Sequence, residues 1–120
     1  MSIFSTKIIS NNLLKENREE LIEKISTFLF SYDEIKQVYI FGSFANNTHH
    51  NESDIDLLIV AKTDENFVKR NQKYSSLLEI YAPLDILVYT EEEFLRMKND
   101  HSNGFWKKFS ENHLLILDKS

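Results

Sequence analysis

Residues 37–60 decide how this chain is read: Gln37-Val38-Tyr39-Ile40-Phe41-Gly42-Ser43, then ten residues from Phe44 to Ser53, then Asp54-Ile55-Asp56-Leu57-Leu58-Ile59-Val60. The segment from Gln37 to Phe41 is β-branched and aromatic and stops at a glycine, which predicts a short buried strand. Ile55 to Ala61 is nearly all aliphatic and predicts a second strand, buried on both faces. Between them Asn46 to Ser53 is polar throughout and reads as a loop.

Side chains alternate across a strand, so Asp54 and Asp56 share one side and Ile55 takes the other. Carboxylates this close repel one another unless a cation sits between them. Oxygen-only ligands suit Mg²⁺ or Mn²⁺. Asp85 is the second residue of a third predicted strand, Leu84 to Tyr89, and could reach the same ions. Its sequence neighbours Leu84, Ile86 and Leu87 are apolar, where an unpaired carboxylate is costly. None of the three acids has an evident cationic partner in the sequence. Gly42 allows a close backbone approach, and a helical turn starting at Ser43 would offer N–H groups and a hydroxyl to phosphate oxygens. A phosphate cradle facing a carboxylate metal site points to phosphoryl or nucleotidyl transfer.

Each piece alone has a plainer reading. Asp-x-Asp is often a solvated turn, and Asp85 could be an edge residue. The conjunction carries the weight. One of only two glycines ends an apolar strand at a set distance from an acid pair, and a third acid falls on the next apolar strand.

Working outward, residues 13–31 read as an amphipathic helix, with Leu14, Leu21, Ile22, Ile25, Phe28 and Leu29 recurring at helical spacing and Asn11 or Asn12 as cap. Asp64 is a plausible cap for a helix over about 65–81, with Phe67, Tyr74, Leu78 and Tyr81 on one side, ended by Pro83. Thr90 and Glu93 have capping-box spacing, so a helix follows to about Asn99. A helical turn or two around Phe105, Trp106 and Phe109 leads to a short strand, His113 to Leu117. Helices alternate with strands, so the class is α/β or α+β with a small central sheet.

At 120 residues the chain fits one domain, 1–120, with its core over about 13–118. It has no cysteine, which excludes disulfides, thiolate zinc sites and a cysteine nucleophile. A net charge of −5 makes a general nucleic-acid binder a poor expectation. No apolar run reaches about 18 residues and the start shows no signal peptide, so the expected compartment is the cytoplasm.

Phe41-Gly42-Ser43, the ten-residue gap, Ser53 to Val60 and then Asp85 resemble the minimal nucleotidyltransferases, the small branch of the DNA polymerase beta superfamily. The resemblance spans roughly residues 13–118. It implies a small mixed sheet flanked by helices in an α/β (α+β) fold, Mg²⁺, an NTP donor (commonly ATP), and transfer of the nucleoside monophosphate with release of pyrophosphate. By position it implies that Asp54 and Asp56 bind both metals, that Asp85 holds the catalytic metal and helps deprotonate the acceptor hydroxyl, and that Gly42 and Ser43 hold the β- and γ-phosphates. Many relatives read Gly-Ser-Arg-Ala-Arg-Gly where this chain reads Gly42-Ser43-Phe44-Ala45-Asn46-Asn47. Asn47 can still take the left-handed conformation of a glycine.

At this length no separate acceptor-binding domain is expected, so the acceptor is expected from a partner chain or from a second copy in a homo-oligomer. The resemblance implies a small helical HEPN-type partner, often a ribonuclease toxin, with this chain as an antitoxin that adenylylates a toxin tyrosine. Two rivals stand beside this: a non-catalytic module that neutralises a partner by binding, and a small-molecule nucleotidyltransferase of the antibiotic-modifying kind. Of the remaining residues, His49 and His50 read as solvated loop residues, with a substrate or metal contact as the sharper alternative. Lys62, Lys69, Arg70 and Lys73 read as an exposed helix face, with approach to a triphosphate or RNA as the sharper alternative. Phe105, Trp106 and Phe109 read as core or interface, and Tyr74, Tyr81 and Tyr89 as packing residues.

Overall fold

A computed structural model describes residues 10–42, 45, 55–81, 84–100 and 104–119, the first eight of these by their backbone. Its centre is the aliphatic run. Strand β2 (Ile55–Ala61) is buried along its length except at Asp56, as a strand covered on both faces must be. On one side it pairs antiparallel with β1 (Ile35–Phe41), on the other parallel with β3 (Leu84–Tyr89). Strand β4 (His113–Asp118) pairs antiparallel with β1, giving the order β3-β2-β1-β4. The parallel β2–β3 pair needs a crossover. Helix α2 (Phe67–Lys73) and a 3-10 turn (Ser75–Glu79) provide it. Helix α1 (Ser10–Phe30) precedes β1; α3 (Glu91–Asn99) and α4 (Gly104–Glu111) lie between β3 and β4. This is the small mixed sheet flanked by helices that the resemblance implies.

The alternation along the strands sorts the apolar residues into two layers. One sheet face carries Val38, Ile40, Ile55, Leu57, Ile59 and Val88 and is covered by Ile25 and Leu29 of α1 together with Tyr74 and Leu77. The other carries Phe41, Leu58 and Val60 under Phe109, with Tyr39, Leu87, Phe94, Phe105 and Trp106 around them. Each buried aliphatic or aromatic side chain is worth about 1.5–3 kcal/mol. The Phe109 ring lies 5.2 Å from Trp106 and 4.7 Å from His113, so the aromatic helix packs as core.

Three local expectations change. Helix α1 starts at Ser10 and takes Asn11 and Asn12 inside it rather than using them as caps; asparagine in a helix costs under about 0.7 kcal/mol. The predicted helix 65–81 breaks in two. Its cap is Asn66, not Asp64: the Asn66 carboxamide oxygen accepts from the Lys69 N–H at 3.0 Å. Ser75 then turns its hydroxyl onto the Gln72 carbonyl at 2.9 Å, a bond that competes with helix continuation. The chain tightens to three residues per turn, so Leu77 follows Tyr74 into the core while Leu78 and Phe67 stay exposed. Pro83 lies outside the described residues. By contrast, the Thr90–Glu93 capping box forms as read, with both reciprocal bonds present.

Candidate active site

The candidate residues gather at one end of the sheet, where β1 ends and β2 and β3 begin. Phe41, Asp56 and Asp85 form one row across β1, β2 and β3, in register. Residues paired across strands share a face, so Asp56 and Asp85 lie on the aromatic side, the one covered by α4. Neighbouring strands are about 4.8 Å apart, so two carboxylates in such a row can serve one ion.

Gly42 directly follows this row. Its φ is +84°, a conformation that L side chains rarely adopt. A Cβ there would fall 2.9 Å from Asp56 Oδ2 and 3.6 Å from Lys108 Cε. The missing side chain therefore makes room for a carboxylate and a lysine. The Gly42 N–H is bonded to the Asn112 carbonyl at 3.0 Å, which ties the strand end to the α4–β4 junction. Beyond Gly42 the chain turns, the Ala45 N–H bonding the Gly42 carbonyl at 3.1 Å.

Two cations stand here that sequence reasoning missed. Lys108 Nζ is 3.3 Å from Asp56 Oδ2, against the expectation that the acids lack a cationic partner. The Arg18 guanidinium, from α1, donates to the Ala45 carbonyl at 3.3 Å. Neither has a sequence signal. Lys108 reaches Asp56 because Phe105 and Phe109, one helical turn apart, both pack on Phe41, at 5.3 and 5.6 Å between ring centroids. Arg18 reaches the loop because α1 crosses the other face of the sheet.

Asp85 is exposed, on an edge strand. The apolar neighbours that made its carboxylate look costly alternate away from it or lie along the strand, so burial does not force it to find a cation. Ser43, Asp54, His49 and His50 lie outside the described residues. Among the described residues no three His, Cys, Asp or Glu side chains form a metal-binding group; Asp56 and Asp85 are two of the three predicted acids. What they offer suits a hard divalent ion: oxygen donors, a glycine-cleared space at Asp56 Oδ2, and an ammonium ion already drawn to that oxygen.

The basic group after β2 is not a uniform exposed face. Arg70 is buried. It donates to the Glu93 carboxylate at 2.7 and 3.3 Å, to the Glu65 carbonyl at 2.6 Å and to the Val88 carbonyl at 3.3 Å, and stacks 4.9 Å over the Phe67 ring. It clamps α2 to β3 and α3 and faces no substrate space. Burial pushes the Glu93 carboxyl up, but the Arg70 guanidinium and the Thr90 N–H together hold it below its ordinary value. Lys73 pairs with Glu34 at 3.0 Å, and Lys62 and Lys69 are exposed as read. Tyr74, Tyr81 and Tyr89 pack in the two cores.

Residues 23–120 match the family model described as polymerase beta, nucleotidyltransferase. The chain belongs to the polymerase beta nucleotidyltransferase family. A Methanocaldococcus jannaschii protein, provisionally named a protein adenylyltransferase, is 28% identical over 99 residues, covering 82% of this chain and 93% of that one. A crystal structure of a Sulfolobus solfataricus protein, provisionally a nucleotidyltransferase, superposes with a TM-score of 0.55 at 26% identity, over 90% of this chain and 82% of its own. A crystal structure of a toxin–antitoxin with AMP-PNP is more distant, with a TM-score of 0.44 at 18% identity over 88% of this chain and 74% of that one. The match to the polymerase beta family takes in β1, β2, β3 and the helix that carries Lys108. No helix among the described residues is long and apolar enough to cross a membrane.

Proposed function

We propose that this nucleotidyltransferase moves AMP from ATP onto a hydroxyl of a partner protein, at the sheet end where Asp56, Asp85 and Gly42 meet. The observation that carries the reading is the Asp56–Asp85 row beside a glycine whose absent side chain opens the space at Asp56 Oδ2. Asp56 and Asp85, with Asp54, would hold Mg²⁺ or Mn²⁺, which supplies neutralising charge to the triphosphate and acidifies the acceptor hydroxyl. Asp56, largely buried and fixed in the centre of the sheet, is the anchoring ligand. Asp85, exposed at the edge strand, faces the side from which an acceptor arrives and takes its proton. Ser43 and the turn that follows Gly42 receive the outer phosphates, since the Gly42 N–H itself is engaged by Asn112. The name of the M. jannaschii relative supports a protein acceptor, and the sequence resemblance supports a HEPN-type toxin tyrosine, with this chain as the antitoxin. The cytoplasm is the compartment that fits these substrates.

The test is mass spectrometry of the partner after incubation with ATP and Mg²⁺. Wild type adds one AMP. Asp56→Asn loses transfer by about 100-fold or more, since electrostatic contributions of this kind are worth about 3 kcal/mol. It keeps its fold, because the pair it loses with Lys108 has a largely exposed partner and is worth under about 1 kcal/mol. Absence of added nucleotide mass on any protein with wild type overturns the reading and leaves the binding module or a small-molecule acceptor.

A further inference from the structure

The Ser43–Ser53 loop contains no lysine or arginine, so a permanently charged side chain for a triphosphate must come from elsewhere in the fold. Lys108 is placed for it. Its ammonium group lies 3.3 Å from Asp56 Oδ2, the same oxygen that stands 2.9 Å from where a Gly42 Cβ would be, and its Cε passes 3.6 Å from that point. The side chain is 60% exposed while Asp56 is 20% exposed. Its base is fixed, because Phe105 and Phe109 lock α4 against Phe41. Its tip is a flexible four-carbon stem carrying a point charge in water. An ion pair of this kind forms readily and separates at little cost.

Resting on the nucleotidyltransferase reading above, we propose that Lys108 is an exchangeable cation of the site. It holds the Asp56 carboxylate before a divalent ion is bound, gives that oxygen up to the ion, and moves onto the triphosphate of the incoming nucleotide. A divalent ion and an ammonium group cannot share one carboxylate oxygen without strong repulsion, so binding of the ion expels Nζ. The phosphate oxygens that arrive beside Gly42 and Ser43 are then the anions within its reach, and charge-assisted bonds to phosphate are among the stronger polar contacts. Lys108 thus competes with bare metal and cooperates with metal–nucleotide, two opposite effects from one side chain.

That opposition is the test. Lys108→Met and Lys108→Arg, in the full chain, are titrated with Mn²⁺ alone, followed by the electron paramagnetic resonance signal of free Mn²⁺. They are then titrated calorimetrically with a non-hydrolysable ATP analogue in Mg²⁺. Lys108→Met binds Mn²⁺ alone about threefold tighter, because its competitor is gone, and binds the analogue about tenfold weaker. Lys108→Arg keeps most of the analogue affinity. Wild-type affinities in Lys108→Met for both ligands, or weaker binding of Mn²⁺ alone, overturn the proposal and leave the site reading intact. A wild-type chain that takes up neither Mn²⁺ nor the analogue overturns the site reading, and this proposal falls with it.

Discussion

Gly42→Ala separates what the backbone demands at this position from what the site demands. At φ +84° a non-glycine residue is strained, and strain of this kind costs about 1–3 kcal/mol. The added Cβ would also lie 2.9 Å from Asp56 Oδ2, closer than such contacts occur, so the carboxylate must shift. For a chain of this length each kcal/mol is worth about 4 °C of melting temperature, so Gly42→Ala should melt about 4–12 °C lower. Gly42→Asn tolerates the left-handed region better and should recover part of that loss. Both variants carry a Cβ, however, so both should displace the Asp56 carboxylate and weaken Mg²⁺–nucleotide binding alike. Thermal melts followed by circular dichroism, beside calorimetric titration with Mg²⁺ and a non-hydrolysable ATP analogue, read the two effects independently. A Gly42→Ala chain that melts within 1 °C of wild type and binds the analogue normally refutes the claim that this glycine clears space for Asp56.

Glu93→Gln should cost about 2–3 kcal/mol in urea denaturation at pH 7, because it leaves the buried Arg70 guanidinium without its anion and weakens the α3 cap. The Glu93 carboxyl is held low in the folded state, so this contribution is complete above the unfolded carboxylate range, about pH 4.3, and fades as pH falls through the lower folded value; the gap between wild type and Glu93→Gln should therefore narrow below about pH 4, and a gap that stays constant down to pH 2 would remove Arg70 as its cause. Tyr74→Phe breaks a 2.6 Å bond to the Glu34 carboxylate while keeping the ring in the core. It should lower stability by about 1–2 kcal/mol with no change in analogue affinity, measured on the same samples.

The strands β2 and β3 were legible because each is an apolar run broken by a single acid, Asp56 or Asp85, and stops abruptly. Ile55–Ala61 and Leu84–Tyr89 match their predicted bounds, and the Thr90–Glu93 box marked α3 by local chemistry alone. The 65–81 segment misled because Phe67, Tyr74, Leu78 and Tyr81 keep helical spacing in sequence while the two serines after Tyr74 let the chain tighten. Of the site, the Asp56–Asp85 row was legible from strand alternation, since both acids sit at strand starts. Lys108 and Arg18 were not. Each sits on a helix more than 25 residues away in sequence from the group it touches, and only the stacking of that helix on the sheet creates the contact. Arg70 was misread for the same reason: its burial is made by α3 and β3, not by its own helix.

The burial of β2 on both faces has a consequence for folding fidelity. In a half-buried strand a slip of one residue exposes the whole apolar set and is rejected at once. Here a slip would exchange Ile55, Leu57 and Ile59 for Leu58 and Val60, one greasy set for another, and apolar burial alone discriminates weakly between the two alignments. Asp56 breaks that degeneracy. In the native pairing its carboxylate lies at the sheet end beside Lys108; shifted by one, it would leave Lys108 and turn toward the apolar layer that Ile25 and Leu29 cover. A lone carboxylate in such a layer is far more costly than any mismatch among aliphatic side chains. The acid proposed to serve chemistry thus doubles as a proofreading mark for strand assembly, and a neutral apolar residue in its place would remove the penalty that keeps the mispaired sheet from competing.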